Sequence, residues 1–430
     1  MLTAIQFLST STTDGEKKGA LTGLYTGLAF IKIFNPPREV SIACVLTGLL
    51  AGQVIGSHLD PREINQSNNT PPWLKPMPSI SRADNSTEIV DERKITQAIK
   101  DLLKLTPDEE QAPPGTQGQV SKWHDKQGKI FAVKVLKQTE KNRGWDTLYR
   151  GEASALDIPK HPKLISPEYL LLRNKADRQF YLIRSLDGVT GNQNQYQVMA
   201  SVSNWVDGQD LCDLLRTGKV PNAVKFGLDV LGDTLEVLTH MHTNNYVHRD
   251  IKIENIMQMQ DGYGLIDFGF CRRLEQAEAT TPCGTAEFYP PELWSANPSG
   301  KYGTDIDLWQ LATTSLDVSV GWNPGDYCDG PDNSEEIRSR ISLEKDLTRE
   351  QREKKIKSAI TEQNVTNFNS LSGAKRTDYL KDKFHDKFSY CPRFLDLICQ
   401  LLDSKENRQD IHSINALYTE IKLSLESEGV

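Results

Sequence analysis

Apolar residues change their spacing along the chain, and those changes divide it. Residues 20–34 are apolar except for Lys32, and residues 40–57 carry no charge. The turn between the two runs holds two prolines, and glycines recur at every fourth position, at 23 and 27 and again at 48, 52 and 56. On helices this spacing leaves flat faces that let two helices meet closely. Residues 20–57 therefore read as an apolar helical hairpin within an N-terminal region of residues 1–62. A stretch rich in Pro, Asn and Ser follows with no hydrophobic period, and residues 63–90 read as a linker. Ile95, Ile99, Leu102 and Leu103 then fall at i, i+4, i+7 and i+8, which predicts an amphipathic helix over 91–105. Strand-like runs broken by turns occupy 115–198, KIFAVKVL at 129–136 being the clearest, and helical patterns dominate from Asn222 onward. The charge-dense stretch 320–371 mixes signs at three- and four-residue spacings, which predicts an exposed, solvated helix.

At 430 residues the chain exceeds what one core usually holds, so two compact lobes with appendages are expected. Strands first and helices after predict an α+β body over 91–430, with a small β-rich lobe and a large helical one. Two readings of residues 20–57 stay open. A hairpin entering a bilayer would leave Lys17, Lys18 and Arg62 on one aqueous side. Both runs fall slightly short of the ~20 residues of a full span, so a tilted insertion or a hairpin packed on the protein itself fits too. A cleaved signal peptide fits poorly, because the charged pair sits at 17 and 18 and two apolar runs follow it.

The net charge of −8 argues against a nucleic-acid partner, since phosphate neutralisation needs a basic surface. The seven cysteines are odd in number and form no C-x-x-C pair, which points to reduced thiols and a cytoplasmic setting for the body, with a membrane surface as its possible station. Cys271 and Cys283 read as structural residues, not as a redox pair.

The chemistry lies in three blocks: HRDIKIENI at 248–256, DFGF at 267–270 and GTAEFYPPE at 284–292. Asp250 offers a carboxylate that can take or orient a hydroxyl proton, and Lys252 adds positive charge. Asn255 and Asp267 supply a neutral and a charged oxygen suited to Mg²⁺. A base, metal clamps and a cation are the needs of phosphoryl transfer. In this order and spacing the blocks resemble the catalytic core of eukaryotic-type protein kinases, and the resemblance covers residues 113–421.

That resemblance implies a bilobal kinase fold, ATP and Mg²⁺ as cofactors, and protein substrates bearing Ser or Thr. Lys252 and Thr285 match the Ser/Thr-directed pattern, with Asp250, Lys252 and Asn255 as catalytic residues and Asn255 and Asp267 as metal ligands. Lys134 matches the lysine on the α- and β-phosphates, Ala132 and Val120 the adenine roof, and Glu152 the partner of the lysine. PPGTQGQV at 113–120 stands where the glycine loop is expected, so Gly115 and Gly118 would let backbone approach phosphate, while Pro113 departs from the pattern. Of two candidate strands leading to the hinge, YQVMASVS is preferred to FYLIRSL. This makes Ser203 the gatekeeper, sets the backbone of Asn204 and Val206 at the adenine edge and places Asp210 near the ribose. Glu292 would pair with Arg408, and Asp307 and Trp309 belong to the helix that anchors the catalytic loop. His240 and His242 match the helix end before that loop and not a metal site. Thr281 has the spacing of an activating phosphosite facing Arg249. A pseudokinase scaffold would keep the fold and lose turnover. A small-molecule phosphotransferase usually lacks the GT…PPE block.

Overall fold

The computed structural model describes residues 90–111, 118–137, 147–186, 189, 195–218, 220, 222–274, 284–294, 303–344 and 347–427. The hairpin at 20–57, the linker, Pro113, Gly115, Thr280, Thr281 and Cys283 lie outside them.

Helix α1 (Glu92–Leu103) starts where Asp91 accepts from Arg93 N at 2.9 Å, and it ends where Lys104 turns left-handed at φ 58°. Ile95 and Ile99 are fully buried, but Leu102, expected on the same apolar face, is 42 % exposed. In the last turn Leu103 packs on the same cluster while Leu102 turns to solvent.

Strands β1 (Thr106–Gln111), β2 (Gly118–His124) and β3 (Ile130–Leu136) precede helix α2 (Thr147–Ala155). Strands β4 (Tyr169–Asn174), β5 (Phe180–Ile183) and β6 (Tyr196–Asn204) complete a six-stranded sheet in the order β1-β2-β3-β6-β4-β5. YQVMASVS thus lies in the sheet interior between β3 and β4, while FYLI forms the edge. On one face Trp123, Phe131, Val133, Leu171, Ala200 and Val202 pack with Ile95 and Ile99 of α1. On the other, Leu170, Leu172 and Val198 pack with Ala153 of α2 and with Leu156 in the turn that follows it. The period of two along β3 sends Val133 to the first face and Ala132 and Lys134 to the second. The antiparallel register aligns Val120, Lys134 and Ser201 in one row and Lys122, Ala132 and Ser203 in the next.

The helical lobe begins with α3 (Leu211–Arg216) and α4 (Ala223–Thr243), followed by short strands β7 (Tyr246–Val247), β8 (Ile256–Met259), β9 (Gly262–Leu265) and β10 (Arg272–Arg273). Helices α5 (Pro291–Trp294), α6 (Asp305–Val320), α7 (Ser334–Ser342), α8 (Arg349–Asn369), α9 (Gly373–Phe384), α10 (Pro392–Leu401) and α11 (Ile411–Ser427) complete it. Helix α6 is buried on nearly every side and packs on α4, so its polar side chains must find partners inside the protein. The charge-dense segment is solvated only in part. The last turns of α8 bury Val365 and Phe368, and Phe368 stacks edge-on against Trp322 at 5.4 Å and tilted against Tyr327 at 5.7 Å.

Candidate active site

The loop after β7 has almost no regular structure of its own, and α6 supplies the partners its backbone needs. Asp307 accepts from the backbone N–H of His248 at 2.9 Å and of Arg249 at 2.7 Å. Gln310 accepts from Ile251 N at 3.0 Å and donates to Arg249 O at 3.1 Å, and Thr314 donates to Ile251 O at 3.2 Å. Positions 307, 310 and 314 share one helix face. Asp307 is fully buried; burial alone would raise its carboxyl, and the hydrogen bonds and charges of His242 and His248 together more than reverse this, so it lies below its ordinary value. This tight anchoring holds Arg249 at φ 72°, an unfavourable backbone for a residue with a Cβ. Gly284, at φ 104°, lies against the Arg249 carbonyl, where a Cβ would come within 2.6 Å.

Asp250 is 2 % exposed and its carboxylate gathers four donors. Oδ1 accepts from the N–H and the hydroxyl of Thr285, both at 3.0 Å, and Oδ2 accepts from Asn255 Nδ2 at 3.0 Å and Lys252 Nζ at 3.1 Å. Lys252 also donates to Thr285 Oγ1 at 2.7 Å. Three residues from two motifs therefore form one network around a single carboxylate, with Thr285 bonding both Asp250 and Lys252 as the resemblance implies.

Lys134 comes from the sheet and donates to Glu152 on α2 at 3.0 Å and to Asp267 Oδ1 at 2.8 Å. Burial would lower the lysine, but the two carboxylates outweigh it and hold the ammonium above its ordinary range. Burial raises Glu152, whereas Lys134 draws Asp267 below its usual value against burial. Asp267 sits at φ 59°, which, like Arg249, a non-glycine residue seldom adopts.

The donor set fits Mg²⁺. The two side-chain hydrogen bonds of Asn255 use its amide nitrogen, which leaves the carbonyl oxygen for a cation. Those of Asp267 use Oδ1, which leaves Oδ2. Among the described residues no cluster of three or more His, Cys, Asp or Glu could hold a metal. Two protein oxygens suit an ion that keeps waters and takes phosphate oxygens.

Some of the other expected residues have duties the sequence did not disclose, and the Glu292–Arg408 pair forms as expected. Gly118 pairs with Leu136 at the start of β2, and a Cβ there would meet the Val135 carbonyl at 2.4 Å. Its glycine is thus required by the neighbouring strand, a different reason from the phosphate approach expected for it. Asp210 caps α3 by accepting from Asp213 N at 2.9 Å. Beyond β6, Trp205 N donates to Ile130 O at 3.2 Å, and Asn204 Nδ2 donates to Glu168 at 3.2 Å. Val206 follows, half-buried, and Ser203 stands opposite Ala132. Arg408 closes on Glu292 at 2.8 Å with its side chain fully buried. His240 is paired with the Pro159 carbonyl at 2.8 Å. Gln310 and Thr314 were not anticipated, though their helical spacing from Asp307 in an apolar run is a usable signal.

The protein kinase domain model matches residues 107–415. The chain is similar to the serine/threonine-protein kinase pakA of Talaromyces marneffei, 28 % identical over 39 % of this chain and 25 % of that one. It resembles STE20 of Yarrowia lipolytica at 28 % identity over 39 % of this chain and 14 % of that one. With shk1/pak1 of Schizosaccharomyces pombe it shares 37 % identity over 21 % of its own length and 14 % of the relative's. The match thus spans a quarter or less of the length of these curated relatives.

Proposed function

The chain belongs to the protein kinase family, and we propose that it transfers the γ-phosphoryl group of Mg-ATP to serine and threonine hydroxyls of protein substrates. The observation that carries this reading is the Asp250 carboxylate held by Thr285, Lys252 and Asn255. Asp250 orients the incoming hydroxyl and takes its proton as the oxygen bonds to phosphorus and ADP leaves. Lys252, beside that carboxylate, offsets negative charge on the transferred group. Asn255 and Asp267 would hold Mg²⁺, which when bound would supply neutralising charge to the phosphates. Lys134, positioned by Glu152, binds the α- and β-phosphates. Ala132 and Val120 cover the adenine, the backbone of Asn204 and Val206 meets its edge, Asp210 reaches toward the ribose, and Gly115 and Gly118 belong to the loop over the phosphates. Thr285 and the adjoining 286–292 segment, anchored through Glu292 to Arg408, seat the peptide.

Asp267→Ala tests the metal assignment and Lys134→Met the nucleotide assignment. Each should lower Mg-dependent phosphate transfer at least about 100-fold, and near-wild-type transfer in either contradicts the corresponding role.

The charge-free run 40–57 supports a second proposal, that the body works in the cytoplasm tethered to a membrane surface. Full-length protein should then sediment with membranes and resist a high-salt wash. Full-length protein that stays in solution without detergent contradicts the tether. No helix among the described residues is long and apolar enough to cross a membrane.

A further inference from the structure

Gly151 precedes Glu152 on α2, and the space of its missing side chain is filled by main chain. A Cβ there would lie 2.1 Å from the Gly269 carbonyl oxygen, 2.3 Å from the Gly269 carbonyl carbon and 2.4 Å from the Phe268 oxygen, against 3.4–4 Å for ordinary contact. All three atoms belong to the turn that aims Asp267, so none can give way by rotating a side chain. The same helix brings Glu152 to Lys134 at 3.0 Å, and Lys134 reaches Asp267 at 2.8 Å. Helix, lysine and turn close a triangle, and on its third side the backbone carbonyls of Phe268 and Gly269 fill the place of a Gly151 side chain. A glycine inside a helix costs about 1 kcal/mol relative to alanine. Nothing in the local sequence requires one here, whereas the long-range contact does.

We propose that Gly151 is a positioning residue: it sets the spacing between α2 and the Asp267 turn, so that one added methyl drives Glu152 and Asp267 apart and breaks their shared hold on Lys134. The kinetic consequence rests on the phosphoryl-transfer reading above; the structural consequence does not.

Gly151→Ala in the full chain tests this. Alanine is the better helix former, so the thermal midpoint should stay within about 5 °C of wild type. Amide hydrogen exchange without nucleotide should quicken about tenfold or more over residues 266–272 and stay unchanged over α4. The kcat/KM for ATP should fall about 100-fold, the usual consequence of misplacing catalytic groups by about 1 Å. Combining Gly151→Ala with Glu152→Gln should cost little beyond Glu152→Gln alone, because both act on the same ion pair. Unchanged exchange over 266–272 would overturn the proposal. So would a midpoint lowered by more than about 5 °C, which would make Gly151 a requirement of folding. If wild type itself transferred no phosphate, the reaction assignment would fail and the exchange result would still decide the role of Gly151.

Discussion

Thr285 sits on Asp250, donating both its hydroxyl and its backbone N–H to Oδ1 at 3.0 Å. The two residues belong to different motifs, and the contact joins the loop that bears the proposed base to the segment assigned to seat the substrate. The hydroxyl also accepts from Lys252 at 2.7 Å, so it orders a cation and an anion together.

Thr285→Val keeps the backbone contact and the shape but removes the hydroxyl. We expect kcat to fall about 10- to 100-fold with the KM for ATP nearly unchanged, and Thr285→Ser to recover most of the loss. Steady-state kinetics with a serine peptide read both values. A valine variant with wild-type kcat would separate Thr285 from the chemistry.

The Arg408–Glu292 pair gives a stability prediction. Arg408 has a fully buried side chain, bonds Glu292 at 2.8 Å and stacks 5.1 Å from the Trp309 ring centre. Removing one partner strands the other charge, so Arg408→Ala should cost about 3–5 kcal/mol in urea unfolding. A loss below about 1 kcal/mol would place the pair among weak surface bridges.

Asp317 gives a pH dependence of opposite sign to most carboxylates. Burial desolvates it and the Asp326 and Glu254 carboxylates repel its charge, lifting it from 3.8 to about 6. The folded state therefore holds a proton that the unfolded chain releases. The stability this contributes is fully present below about 3.8 and is lost as pH rises through about 6. Asp317→Asn should remove that slope and raise stability at pH 7 by roughly 2 kcal/mol. Urea unfolding across this range checks it, and an identical slope in both proteins would contradict it.

Much of the site is legible in sequence because short loops fix the spacing of Asp250, Lys252, Asn255 and Asp267. The alternation in β3 likewise separates Lys134 from Val133. Some joins between distant elements were legible through the resemblance, Glu152 with Lys134 and Glu292 with Arg408 among them, and others were not. Gln310 and Thr314 look like ordinary helix residues until α6 proves to be buried on nearly every side. Gly151 looks like a flaw in a helix until the carbonyls of Phe268 and Gly269 arrive beside it. Gly118 was read through a motif, and the physical demand for it comes from Val135 across the strand. Leu102 was assigned by period alone, which does not say which of two adjacent leucines the helix turns to solvent. The charged stretch misled similarly, since its composition describes the first turns of α8 while Phe368 belongs to an aromatic core.

The most direct test is transfer of labelled γ-phosphate from ATP to serine and threonine peptides by the wild-type chain and by Asp250→Ala, each with and without Mg²⁺. Wild type should turn over only with Mg²⁺, and Asp250→Ala should be slower by about 100-fold or more while still binding nucleotide. Equal turnover in the two proteins, or none in either, would contradict the assignment of this site as a working Ser/Thr kinase centre.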